Sequence, residues 1–254
     1  MKIDDVVAVV NGIAPFSGAC AWDNCGLMCG DKNDSVSHVL VTLDADMYAL
    51  KLALKYGCTL VISHHPLVFD PLRAVTADAP IYHFIKNGIA VISAHTCLDA
   101  ADGGINDLLT ELAAICNPQP LFIDGCALGR YGELEDGTEF TNDPIKYIDF
   151  LKARIGSKRA DFIIKRPIKR AAVVSGSGGR ALALLNEYGI DTLITGEGKH
   201  EHFVFADNNG LNLIALGHFE TENIIVKPFA RRLETLLTGV RIFTSDRTEL
   251  IRRR

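Results

Sequence analysis

Short apolar runs, polar turns and amphipathic stretches follow one another along this chain in an order that repeats. Residues 39–63 read VLVTLDADMYALKLALKYGCTLVIS, and residues 171–195 read AAVVSGSGGRALALLNEYGIDTLIT. Aligned without a gap, identities fall at Val41/Val173, Ala49/Ala181, Leu50/Leu182, Leu52/Leu184, Tyr56/Tyr188, Gly57/Gly189 and Ile62/Ile194. Each copy opens with a short β-branched run, passes a polar or glycine turn, and enters an alanine- and leucine-rich helical segment. Gly57 and Gly189 stand where a left-handed residue ends a helix. A second apolar run follows. The pattern predicts strand–helix–strand twice, and parallel strands joined by a helix call for a covered, mostly buried sheet.

The likeness continues. Residues 88–99, GIAVISAHTCLD, and residues 210–222, GLNLIALGHFETE, each begin a strand at a glycine and run into His-x-x-x-acid. The pairs are His95 to Asp99 and His218 to Glu222, with one residue more in the second copy. The expected fold is α/β: two related α/β lobes with mainly parallel strands, residues 1–125 and 126–254, either terminus being able to cross to the other lobe. The segment 125–144, GCALGRYGELEDGTEFTNDP, reads as turn-rich. A helix is predicted from near Pro144, capped by Asn142 or Asp143.

Composition narrows the function classes. With 254 residues, 48% of them hydrophobic, the chain can bury a sizeable core. No apolar run approaches the roughly 20 residues that span a bilayer, and the acidic start MKIDDVVAVVNGIAPF does not read as a secretory leader. The net charge of -5 argues against a broad nucleic-acid-binding face. The RRR at 252–254 reads as a solvated end. Seven cysteines without a CxxC pair suit reduced thiols and a cytoplasmic location better than a disulfide framework.

The polar residues that follow the apolar strands carry the chemistry. They are His64, His65, His95 and Asp99 in the first lobe, and Glu197, His200, His202, His218 and Glu222 in the second. Ligands of parallel α/β sheets bind beyond the carboxyl ends of the strands, and six of the eight histidines lie in these loops, which argues against random scatter. Adjacent His64 and His65 would point to opposite faces of a strand. At a strand end that turns before Pro66 they diverge by a few ångströms, and each can hold one ion of a pair, since two-metal sites keep their ions about 3.5–4 Å apart. The assignment is one ion on His65 and Asp99, a second on His64 and His218, with Glu222 bridging, in a cleft between the lobes. Imidazole and carboxylate suit zinc, iron, manganese, cobalt or nickel. His95 reads as an orienting partner or a further ligand. His95, Glu197 and His200 are the candidate proton-shuttling groups. The SGSGG turn at 175–179 could cradle a phosphate but lacks a P-loop ending. Cys20, Cys25 and Cys29, spaced C-x4-C-x3-C, read as small buried or free thiols in preference to a metal cluster, and WDNCGL (22–27) as an anchor or rim.

These stretches also carry a resemblance. AWDNCGLMCGD, SHHPLVF, SAHTCLDAADGGIND, TGEGKH and LGHFETE, in this order from about residue 20 to 225, resemble the motifs of the NIF-three-like dinuclear metal-centre proteins, often named type-two GTP cyclohydrolase I homologs. The resemblance implies two α/β lobes around a dimetal site, assembly as a toroidal hexamer built from dimers, and His64, His65, Asp99, His218 and Glu222 as metal ligands. Family members often have asparagine where this chain has Cys97, and some carry a large central insertion that this chain lacks. The function implied is a metal-dependent hydrolase acting on GTP or another nucleotide or phosphorylated small molecule. A metal-delivering protein or a regulatory ring with structural metals are the rival readings.

Overall fold

A computed structural model of the chain describes residues 1–134, 140 and 143–247. The chain divides into two compact units: Met1–Ala101 together with the segment that begins at Ile225, and Asp102–Ile224. In chain order the first unit carries helix α1 (Ile3–Ile13), strands β1 (Gly26–Cys29) and β2 (His38–Thr42), α2 (Met47–Tyr56), β3 (Leu60–Ser63), α3 (Pro80–Lys86), β4 (Ala90–Ser93) and α4 (Thr96–Ala100). The second carries α5 (Ile105–Leu112), β5 (Ile115–Ile123), β6 (Cys126–Leu134), α6 (Pro144–Ile155), β7 (Asp161–Ile163), β8 (Arg170–Val174), a 3₁₀ segment (Gly179–Leu184), β9 (Thr192–Thr195), α7 (His200–Asn209), β10 (Asn212–Ala215) and α8 (His218–Asn223). The chain then returns to the first unit with α9 (Val226–Leu236) and β11 (Arg241–Thr244).

The first sheet runs β1-β4-β3-β2-β11, parallel throughout except for β1. Its register sets what stands at its edge. Thr42 lies beside Ser63 and Ser63 beside Ser93, so the residues after β2, β3 and β4 leave the sheet at one end. Antiparallel β1 starts there, with Gly26 opposite Ser93, and parallel β11 ends there. One face of the sheet packs Leu40, Val61 and Val91 against Ala49, Leu50, Ala53 and Phe84. Burying each such large side chain contributes roughly 1.5–3 kcal/mol. Helix α2 is set at both ends: the Asp46 carboxylate accepts from the amides of Tyr48 and Ala49, and Gly57 closes it at φ +65°.

The second sheet runs β5-β6-β8-β9-β10-β7, with β8, β9 and β10 parallel at its centre. It has a core on each face, and the strands alternate between them. Ala171, Val173, Ile194 and Ile214 meet Tyr147 and Leu151 of α6. Ala172, Val174, Leu193 and Leu213 meet Leu121, Leu182 and Leu185. This period of two is the strand signature, and the fully buried Tyr147 satisfies its hydroxyl by donating to the Ala113 carbonyl at 2.7 Å.

The α/β expectation holds, with two sheets and mostly parallel strands in their centres. Two local expectations change. The connection in the second copy of the repeat is a 3₁₀ segment, not an α-helix: its first turn is Gly178-Gly179, with no acidic cap like Asp46. Within the turn-rich stretch, residues 126–134 form β6. Asp124 (φ +51°) and Gly125 (φ +82°) make the tight turn that joins it to β5. Gly129 and Gly132 sit inside the strand because a Cβ there would come within 2.8 Å of the Val173 carbonyl oxygen and 2.2 Å of that of Cys116. Asp143 caps α6 by accepting from the Lys146 amide. Asn142, the other candidate cap, lies outside the described residues. Among the thiols, Cys25, Cys29, Cys58, Cys97 and Cys116 are free. Cys20 and Cys126 are disulfide-bonded, which departs from the expectation of seven reduced thiols.

Candidate metal centre

In the first unit three imidazoles converge where the strands end. His64 and His65 follow β3, and His95 follows β4. The amides of both His64 and His65 donate to the Leu43 carbonyl, so the backbone has left the strand and its alternation. Their rings lie 5.0 Å apart, and His95 lies 5.0 Å from His64 and 5.7 Å from His65. One ring nitrogen from each comes within 4.8 Å of the others, a spacing that could hold a metal ion.

Each imidazole is held through Nδ1. His64, 2% exposed, has Nδ1 3.0 Å from the Ala94 carbonyl oxygen, which makes Nδ1–H the donor. His65 Nδ1 lies 2.8 Å from Asp44 Oδ1, and His95 Nδ1 lies 2.8 Å from Asp23 Oδ1. A ring that donates from Nδ1 to a carbonyl or carboxylate presents a lone pair at Nε2, the arrangement that metal-binding histidines use. Asp99 is buried, and its Oδ1 stands 3.9 Å from His64 Nε2. The donor set fits a divalent transition metal ion.

Asp23 is the hub of this shell. Its Oδ2 accepts from the Thr96 amide at 2.9 Å and from the Thr96 hydroxyl. Burial alone would raise its carboxyl pKa, but hydrogen bonds from His95 and Thr96 and the charge of His95 outweigh burial and hold it far below the usual range. Burial would lower the His95 pKa, and the Asp23 hydrogen bond with the charges of Asp99 and Asp23 reverses this and raises it. The field that favours a proton on this ring also favours a metal cation.

In the second unit the strand ends do something different. Val174 lies beside Thr195 and Thr195 beside Ala215, so Gly176, Gly196 and Gly217 follow three neighbouring strands. His218 and Glu222 lie one helical turn apart on α8, with Nε2 3.0 Å from Oε2. Glu222 is 4% exposed. Glu197 Oε1 stands 3.4 Å from His218 Nδ1, on the far side of the ring, and Glu197 Oε2 accepts from the Ser177 hydroxyl at 2.8 Å. The glycines make room. A Cβ on Gly176 would lie 2.0 Å from Glu222 Oε1 and 3.1 Å from His218 Nε2, and one on Gly196 would lie 2.8 Å from the His218 Cα. The SGSGG turn therefore packs against the His-x-x-x-Glu pair.

Of the sequence-predicted residues, His64, His65, His95 and Asp99 come together in one unit, and Glu197, His218 and Glu222 in the other. His95 stands among the imidazoles with an orienting partner of its own. His200 is exposed on the first turn of α7. His202 Nδ1 accepts from the Lys199 amide at 3.1 Å, closing the start of that helix. The orienting groups Asp23, Asp44 and the Ala94 carbonyl were not among the expected site residues. Asp44 follows a strand just as the histidines do, and Asp23 precedes an antiparallel one, so the same strand-end rule reaches both.

Comparison with known proteins places this architecture. A family profile described as Duf34/NIF3 (NGG1p interacting factor 3) matches residues 1–249. A Clostridium perfringens protein named GTP cyclohydrolase 1 type 2 homolog is 31% identical, over 96% of this chain and 96% of that protein. A Methanocaldococcus jannaschii protein of the same name is 33% identical, over 93% and 96%. Among solved structures, reduced HcgD from Methanocaldococcus jannaschii superposes with a TM-score of 0.84 at 29% identity, over 97% of this chain and 98% of that one. A Bacillus cereus protein related to NIF3 superposes with a TM-score of 0.87 over 100% and 99%, and at 21% identity it speaks for the fold alone.

Proposed function

This chain belongs to the Duf34/NIF3 family, and from that premise we propose that it is a dinuclear metal-dependent hydrolase. His64, His65, Asp99, His218 and Glu222 hold two divalent ions, with His95 as a further ligand. The observation that carries the reading is the set of three imidazoles, each fixed through Nδ1 so that Nε2 is presented. Protein ligands this few leave coordination positions open for water and substrate, as catalytic centres do. When bound, such ions lower the pKa of a coordinated water and polarise the bond under attack.

The chain's own residues supply the rest. Asp23 and Asp44 orient His95 and His65. Glu197, exposed and in contact with His218 and Ser177, takes up or releases a proton at its carboxylate. His200 is the solvent-side member of the proton-shuttling set. Trp22 (53% exposed) and Phe69 (46%) flank His95, with ring centroids 6.3 and 6.2 Å from it. Exposed aromatic faces beside the ligands suit a planar base. This supports a nucleotide substrate, GTP being the first to try because relatives bear the GTP cyclohydrolase name. Assembly as a hexameric ring belongs to the same proposal, as does a cytoplasmic location. Among the described residues no helix is long and apolar enough to cross a membrane.

Steady-state assays of metal-loaded protein on GTP, other nucleotides and phosphoesters test the reading. Turnover is expected, and the His64→Ala, Glu222→Ala double variant abolishes it. No turnover above that variant, together with ready transfer of the metal to an apo-acceptor, would favour a metal-delivering protein instead.

A further inference from the structure

Two thiols lie directly behind the imidazole cluster. Cys25 precedes β1, and Cys97 is the second residue of α4. Pairing of Gly26 with Ser93 brings Cys25 to the start of that helix, where the His95 amide donates to its Sγ at 3.4 Å. The Cys25 thiol donates to Asp23 Oδ2 at 3.2 Å, and the Cys97 side chain neighbours the Cys25 sulfur. Cys97 is buried and Cys25 is partly exposed, so a small solute reaches the pair from the Cys25 side. Both sulfurs are free.

We propose that Cys25 and Cys97 form a peroxide-oxidisable dithiol, a modification site whose state is transmitted through Asp23 to His95. The Cys25 sulfur attacks one oxygen of a hydroperoxide. The O–O bond breaks, water leaves, and Cys25 becomes a sulfenic acid. The Cys97 sulfur then attacks the Cys25 sulfur, an S–S bond forms, and the hydroxyl leaves as water with the Cys97 proton. Two thiols and one hydrogen peroxide thus give one disulfide and two waters. Closing the pair brings the sulfurs to about 2.05 Å. It also removes the S–H that donates to Asp23 Oδ2, the carboxylate whose other oxygen holds His95.

The disulfide is independent of the metal reading, and its effect on His95 rests on that reading. Metal-free protein is therefore treated with hydrogen peroxide, alkylated under denaturing conditions and mapped by tandem mass spectrometry. Alkylatable thiols fall from the five free cysteines to three, with Cys25 and Cys97 joined, and dithiothreitol makes both alkylatable again. Cys97→Ser leaves Cys25 as a sulfenic acid that dimedone traps, and Cys25→Ser leaves Cys97 reduced. Peroxide that leaves both thiols alkylatable, or takes Cys25 to sulfinic acid without the link, overturns the proposal. Cobalt(II) titration of the reduced and oxidised forms reads the transmission. Binding about tenfold weaker after oxidation is expected, the scale of a lost outer partner, and equal binding overturns the link to His95. Failure of the reduced protein to bind cobalt(II) would count against the metal reading and not against the disulfide.

Discussion

Residues 39–63 and 171–195 share strand register and seven identical positions, yet they prepare their sheet ends in opposite ways. In the gapless alignment Asp44 corresponds to Gly176, His64 to Gly196 and His65 to Glu197. The first copy places side chains at these positions: two imidazoles, and the carboxylate that holds one of them. The second leaves Gly176 and Gly196 empty of side chain, so that α8 presses His218 and Glu222 down onto the bare backbone. The acid of the His-x-x-x-acid motif follows suit. Glu222 meets its own His218, whereas Asp99 approaches His64 and His95 turns to Asp23. One scaffold thus positions its imidazoles and carboxylates by hydrogen-bonded outer partners in one copy and by close glycine packing in the other.

Exchanging residues between the copies tests this contrast. The largest effect is expected from Gly176→Asp, which imports the first copy's residue. Its Cβ would fall 2.0 Å from Glu222 Oε1, at a backbone φ of +58°. Strain and the displaced buried carboxylate together cost about 3 kcal/mol or more, read by urea unfolding, and metal bound through His218 and Glu222 is lost. The reciprocal Asp44→Gly takes away the His65 partner. Metal affinity falls about tenfold while the fold stays intact, as isothermal titration with circular dichroism would show. Asp23→Asn, at the more buried hub, weakens binding by roughly 10- to 100-fold. Smaller still is Asp46→Ala, which uncaps α2 at a cost of about 1 kcal/mol. Smallest and matched are Gly57→Ala and Gly189→Ala. Both glycines hold φ near +65° with open space or ordinary contact around a Cβ, so each loses about 1 kcal/mol. A clear inequality between them would show that the copies differ at their helix ends as well as at their sheet ends.

The strand–helix–strand frame was legible because its signals are local: β-branched runs of four or five residues and a glycine at each helix end. The 3₁₀ segment was not, because leucine and alanine spacing reports a buried face and not the hydrogen-bond ladder that two leading glycines weaken. Strand β6 was hidden by Gly129 and Gly132, which read as turns from sequence and are in fact demanded by carbonyls of neighbouring strands. The grouping of histidines and acids within each unit was legible from their recurrence after strands. Their partners were less so. Asp44 follows a strand in plain view, but Asp23 acts at the sheet edge only because β1 runs antiparallel, a long-range fact. Gly176 as a seat for Glu222, in a turn that could equally have read as a phosphate cradle or a plain tight turn, also depends on packing that spacing does not encode.

Two metal ions per chain are proposed to sit on the histidines and acids at the strand ends. Metal analysis by mass spectrometry, on protein reconstituted with zinc, manganese, iron, cobalt or nickel and freed of excess ion, tests this most directly when the wild type is set beside His64→Ala and Glu222→Ala. Close to two ions per chain are expected for the wild type with at least one of these metals, and one or fewer for each variant. A wild type that retains none of them, or variants that retain as much as the wild type, would contradict it.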